Sequence, residues 1–167
     1  MKIKQKKDGF TIIEVVLVLA IAGLIFLMVF IAWPALQRSQ RDTQRRNDYS
    51  MLSTAVSNYI TNNNGKLDGL VGSNYNGTTG GLDPKTYVNK DGKDPDGKDY
   101  VVTAVKCTSS SCDTADPAAN NVRVMINADC SGSANGHSAP KYNSSSRAFA
   151  IYGYLESGSK TFCSASQ

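Results

Sequence analysis

Few residues of this 167-residue chain are placed to do chemistry. Glu14 stands apart, as the only charge in the 24-residue apolar run from Phe10 to Trp33. A carboxylate in hydrocarbon is costly unless it finds a partner or takes up a proton. No cation of the same helix reaches it, since Lys6 and Lys7 lie before it and Arg38 far beyond. A side chain so near one end of the run could also snorkel to the membrane interface.

The other candidates lie far downstream. KDGKDPDGKDY, residues 90–100, gathers Asp91, Asp94, Asp96 and Asp99 around two glycines. Closely spaced oxygen ligands in a loop suit calcium, although the EF-hand spacing and its closing acid are missing; the alternative is a turn feeding a strand at Tyr100. Cys107, Cys112, Cys130 and Cys163 form an even set, which in an oxidising compartment implies two disulfides. Of three connectivities, Cys107–Cys112 with Cys130–Cys163 is favoured: the first closes a short Thr-Ser-Ser-Ser loop and the second ties down the C-terminus. Zinc is the rival reading, but there is no Cys-x-x-Cys pair and a single histidine, His137. Asn76-Gly-Thr78 and Asn143-Ser-Ser145 fit the glycosylation acceptor pattern. His137 lies in the Gly/Ser-rich SGSANGHSAP, with no nucleophile elbow or phosphate-binding glycine loop elsewhere, so neither an enzyme nor a cofactor is expected.

These residues need elements to hold them. At about 1.5 Å per residue the run from 10 to 33 spans the roughly 30 Å hydrocarbon core of a bilayer as a helix. Lys2, Lys4, Lys6 and Lys7 precede it, which places the N-terminus in the cytoplasm and residues from about 36 onward outside. Outside the first nine residues, 14 basic and 13 acidic groups leave a balance of only +1, so composition offers no nucleic-acid footprint and no sequence-specific nucleic-acid partner. The small residues Ala20 and Ala22 lie inside the apolar run, where ordinary signal cleavage would leave an exposed apolar end.

Pro34 is expected to kink the helix. The polar segment 37–50 reads as a solvated continuation laced by Arg38, Asp42, Arg45 and Arg46. From Met51, an apolar face of Leu52, Ala55, Val56, Tyr59 and Ile60 needs a sheet to cover it, and Gly65 is a natural left-handed cap at the helix end. Strands are expected at 100–107, 121–128 and 147–157, with Tyr152 and Tyr154 on a common sheet face. The fold class is therefore α+β, a long N-terminal helix on a small antiparallel sheet. Its parts are a leader (1–9), an apolar helix (10–33), an amphipathic continuation (34–64), a loop (65–99), and a disulfide-bounded sheet region (100–167).

With these parts in place, GFTIIEVVLVLAIAG resembles the N-terminal signature of type IV pilins and related prepilins. The resemblance implies cleavage by a prepilin peptidase after Gly9, N-methylation of the new N-terminus Phe10, and pairing of Glu14 with a Phe10 amine, in that family a neighbouring subunit's. Gly23 also falls where the family often has glycine. Two departures are Ile31, where members commonly carry a helix-kinking proline, and Asp8 directly before Gly9. The implied partners are other copies of the chain in a helical homopolymer, the peptidase/methyltransferase, the assembly machinery and, before assembly, the membrane. The DPDG stretch is in turn similar to a turn of major pseudopilins, which keeps a secretion or competence apparatus open beside a surface pilus. A single-pass membrane protein that never polymerises is the remaining alternative.

Overall fold

A computed structural model describes residues 9–70, 87–88, 90–109, 112–157 and 161–166. Asn76 and its acceptor tripeptide lie outside them. The chain divides into two compact units, Met1–Gln37 and Arg38–Gln167.

The helix α1 runs over Ile12–Asn62 without interruption, and Pro34 lies inside it. Proline removes one rung of the hydrogen-bond ladder, yet apolar and polar helix formers on both sides continue the spiral. The helix stops where Asn64 and Gly65 turn left-handed, at φ of 54° and 79°, and the Gly65 amide donates to the Ile60 carbonyl at 2.8 Å. Gly65 is the expected cap. A short 3₁₀ turn, Asp68–Leu70, follows.

Six strands build the rest: β1 (Val101–Lys106), β2 (Asn121–Ile126), β3 (Ala128–Ala134), β4 (His137–Tyr142), β5 (Phe149–Tyr154) and β6 (Thr161–Ala165). The main sheet has the order β1-β2-β5-β6, and β3 with β4 forms a separate hairpin. The expected strands 100–107, 121–128 and 147–157 correspond to β1, β2 and β5.

The strand expectation needs three corrections. The β1–β2 pair is parallel, not antiparallel; β2–β5 and β5–β6 are antiparallel. A parallel pair needs a crossover of a dozen or more residues, and the stretch 107–120 supplies it. The strand expected to continue to 128 breaks at Asn127, whose φ of 56° redirects the chain into β3. The segment around His137, expected as a loop, is the β3–β4 hairpin: Asn135 and Gly136 at φ 51° and 80° make a two-residue turn of the I′ kind.

The sheet is covered on both faces. Val122, Val124 and Ile126 of β2 and Phe149 and Ile151 of β5 pack against Tyr49, Leu52, Ala55 and Val56 of α1, with Tyr59 and Ile60 at the margin. Alternate residues, Met125, Ala150 and Tyr152, face the other way onto Cys107 and Ala128, beside Cys112, Cys130 and Cys163. Tyr152 is thus sheet packing. Met51, expected on the buried face, is 55% exposed. The stripe that faces the sheet runs through 45, 49, 52 and 56, and position 51 falls beside it.

Candidate functional site

The Gly9–Phe10 peptide lies outside the helix, and both residues are exposed. Among the described residues, nothing beyond its chain neighbours lies within 4 Å of where a Cβ of Gly9 would be. Non-helical, uncovered backbone is the conformation a peptidase can take into its active site.

Two residues further on, the helix begins with a reciprocal cap. Thr11 stands at the cap position: its Oγ1 accepts from the Glu14 amide at 3.4 Å, and Glu14 Oε2 accepts from the Thr11 amide at 3.3 Å and from Thr11 Oγ1 at 3.1 Å. Thr-Ile-Ile-Glu is a capping box, in which two orphan amides and the carboxylate satisfy one another. The carboxylate also sits at the positive end of the helix dipole. Glu14 therefore has donors within its own chain, from Thr11. The T-x-x-E spacing of Thr11 and Glu14 is the sequence signal for this cap, a partner for Glu14 beyond the cation and the membrane interface.

From Phe10 to Trp33 the large apolar side chains are exposed, with Phe10 at 89% and Ile12 at 85%. The helix is long and apolar enough to cross a membrane, and its most apolar 18-residue window is 0% buried within the chain. At roughly 25 cal/mol per Å² of apolar surface, a face this large requires lipid or other protein around it.

The family described as the prokaryotic N-terminal methylation motif matches residues 4–30. The chain carries the type IV prepilin signature. The match takes in Gly9, Phe10, Thr11 and Glu14, and this motif together with the apolar helix supports a pilin-like or pseudopilin-like chain; processing by prepilin peptidase and anchoring in the membrane before assembly are what the motif implies. Neither the curated proteins nor the solved structures contain a match.

In the second unit, both favoured disulfides are present. Cys107–Cys112 has a Cα–Cα distance of 4.6 Å and Cys130–Cys163 of 5.8 Å. No cysteine is free, which removes the zinc reading.

The calcium expectation is corrected. Asp94 and Asp96 do not face a vacant centre with Asp91 and Asp99; they face Arg45. The guanidinium donates from Nε to Asp94 Oδ1 and from Nη2 to Asp94 Oδ2, both at 2.7 Å, and from Nη2 to Asp96 Oδ2 at 3.0 Å. Among the described residues, no three of His, Cys, Asp and Glu converge as metal ligands. The turn alternative holds: Lys93 and Asp99 bridge in antiparallel fashion, and the Tyr100 amide donates to the Gly92 carbonyl at 2.8 Å.

Segment 37–50 is likewise not solvated throughout. Asp42, Arg45 and Asp48 are buried. Arg45 also donates to Glu156 Oε1 at 2.6 Å and to Asp42 Oδ1 at 3.3 Å, with its guanidinium carbon 5.4 Å from the centre of the Tyr154 ring. Arg41 reaches Glu156 through Nε at 2.9 Å and Nη2 at 2.5 Å. Arg45 continues the stripe of Tyr49, Leu52 and Val56, and that spacing was the available signal, masked by the charge.

Asn143 is half-buried; its Nδ2 donates to Asp129 at 3.3 Å and its Oδ1 accepts from the Ser145 amide at 3.0 Å. His137 is half-buried at the start of β4.

Proposed function

We propose that the mature chain, Phe10 to Gln167, is a structural subunit of an extracellular type IV pilus. The observation that carries this reading is the uncovered apolar helix with Glu14 capped at its start and the motif match over it. In a helical homopolymer the apolar faces bury one another in place of lipid. Glu14 exchanges its Thr11 donors for the methylated Phe10 amine of an incoming subunit, and that pairing sets the axial register. The assembly machinery lifts the subunit out of the membrane, while the disulfide-bonded part forms the outer surface. Adhesion, surface motility or DNA uptake are then properties of the filament. The chain itself is not an enzyme in this reading and needs no cofactor.

A pseudopilin of a secretion or competence apparatus is the second reading, favoured by the Asp94-Pro-Asp-Gly97 turn ahead of β1. Mass spectrometry of sheared surface filaments separates the two. A chain beginning at N-methylated Phe10 in such filaments is the expected result. Its absence from surface filaments, with processed chain retained in the envelope, points to the pseudopilin. Recovery of only a membrane-bound chain beginning at Met1 overturns both. Glu14→Ala is expected to process normally and to assemble poorly, alone or mixed with wild type.

A further inference from the structure

Filament assembly through the N-terminal segment makes no use of the charged cluster at the start of the second unit. Two guanidinium groups, Arg41 and Arg45, face four carboxylates drawn from three separate stretches of chain. Asp42 comes from α1, Asp94 and Asp96 from the turn within 93–99, and Glu156 from the segment after β5. Asp42 closes the arrangement: it accepts from the Glu156 amide at 2.8 Å, from the Ser157 amide at 2.7 Å and from the Ser157 hydroxyl. Neither the turn nor 155–157 belongs to a strand. Apolar anchors flank them, in Tyr100 and Leu155, but between those anchors the attachment to α1 is ionic.

We propose that Arg45 is the pin of an acid-released clasp: protonating Asp42 and Glu156 lets Arg45 turn outward and so frees the 155–157 segment and the 93–99 turn from α1, while the sheet and its disulfides stay folded. Arginine does not give up its proton, so the carboxylates are the only members of the cluster that can titrate away the attraction. A wholly buried guanidinium facing neutral partners is strongly disfavoured and must turn out to water, which takes the contact with the turn apart. The 93–99 turn also lines an open cavity of about 770 Å³, together with Gln44, Lys90 and Asp91.

The sign follows from the environment of the acids. Burial pushes the Asp42 carboxyl up, but the Ser157 hydroxyl, the Glu156 and Ser157 amides and Arg45 outweigh it and hold it below the usual carboxylate range. Arg41, with Arg45 behind it, does the same for Glu156 against a smaller effect of burial. Groups with lowered folded values stabilise the closed form above the ordinary carboxylate range, and that stabilisation is lost as pH falls through the lowered values. The remaining groups facing the cluster are Asp48 and Tyr49 on α1, Tyr100 after the turn, and the Tyr154 ring on β5. Tyr100 donates to Asp48 at 3.0 Å, and burial raises both Tyr49 and Tyr100, so these phenols stay neutral throughout.

The test is amide hydrogen exchange of the full chain in detergent micelles from pH 7 to pH 2, below the lowered carboxyl range, corrected for intrinsic rates. Protection at Asp94, Gly97, Glu156 and Ser157 should fall about tenfold or more beyond any change at Val124 and Ile151 as the acids take up protons. Parallel loss at all six amides, or no loss at the first four, overturns the clasp. Asp42→Asn keeps the shape and removes a titrating charge; it should show weaker protection at Glu156 and Ser157 at pH 7 and a flattened pH dependence. An unchanged wild-type pH dependence in this variant overturns the proposal. If Asp42→Asn does not fold, Glu156→Gln read at Asp94 and Gly97 gives the same decision.

Discussion

Tyr49 lies directly on Gly153. A Cβ at position 153 would stand 2.5 Å from the Tyr49 ring, while the Tyr49 hydroxyl donates to the Tyr154 carbonyl at 3.0 Å. The same ring meets Phe162 at a centroid distance of 5.4 Å and Tyr100 at 6.4 Å. The glycine is what lets α1 approach the centre of β5. Gly153→Ala should therefore destabilise the second unit by about 1–3 kcal/mol through overpacking. Thermal unfolding of purified chain checks this, and an unchanged midpoint would show that the helix can withdraw without cost.

Thr11→Val removes the one hydroxyl that both accepts from the Glu14 amide and donates to its carboxylate. Loss of a cap of this kind costs about 0.5–2 kcal/mol. Exchange of the amides of 12–15 in micelles should rise accordingly, with the amides of α1 beyond Arg38 unaffected. Equal exchange in the two proteins would mean that the reciprocal cap contributes nothing at this terminus.

The two disulfides should differ in what they contribute. Cys130–Cys163 spans 33 residues and Cys107–Cys112 spans 5. Loop-closure entropy assigns roughly 4 kcal/mol to the longer loop and about 2 kcal/mol to the shorter. Denaturant midpoints of the paired Cys→Ser variants should rank in that order; the reverse order would show that the short loop holds the β1–β2 crossover more firmly than its length implies.

Tyr100→Phe withdraws a buried donor from Asp48. The expected loss is about 1–3 kcal/mol, measured by denaturant unfolding at pH 7. In an ultraviolet titration of the wild type, Tyr49 and Tyr100 should stay protonated above the usual phenol range. Burial is the first cause that raises their values, so they resist deprotonation while the fold persists. Their contribution to stability is present below the unfolded phenol range and is lost as pH rises beyond it. Ionisation of all the tyrosines in one step near pH 10, without unfolding, is the contrary result.

Much of this molecule could be read along the chain, and the misses have a common cause. The apolar run, the Gly9–Phe10–Glu14 spacing, the Gly65 cap and the alternation in 121–126 are local patterns, each written within a few residues. Arg45 escaped because charge was taken as a sign of solvent, although its spacing to Tyr49, Leu52 and Val56 marks the face that packs. The β3–β4 hairpin was signalled by Asn135-Gly136 and lost among the surrounding serines and glycines. β6 is only 5 residues long, too short for a periodic signal to stand out.

The sequence by itself determined the two-part plan of an N-terminal methylation-type motif with an apolar helix, followed by a disulfide-bonded α+β unit, because helix periodicity, bilayer thickness and cysteine pairing act through near neighbours in the chain or through simple counts. Only the tertiary structure decided that β1 and β2 run parallel, that Gly153 receives Tyr49, and that Asp94 answers Arg45 rather than a metal ion. Those relations join residues about 20 to 105 positions apart. Their energies arise from desolvation and close packing, which exist only once the helix, the turn and the sheet have met.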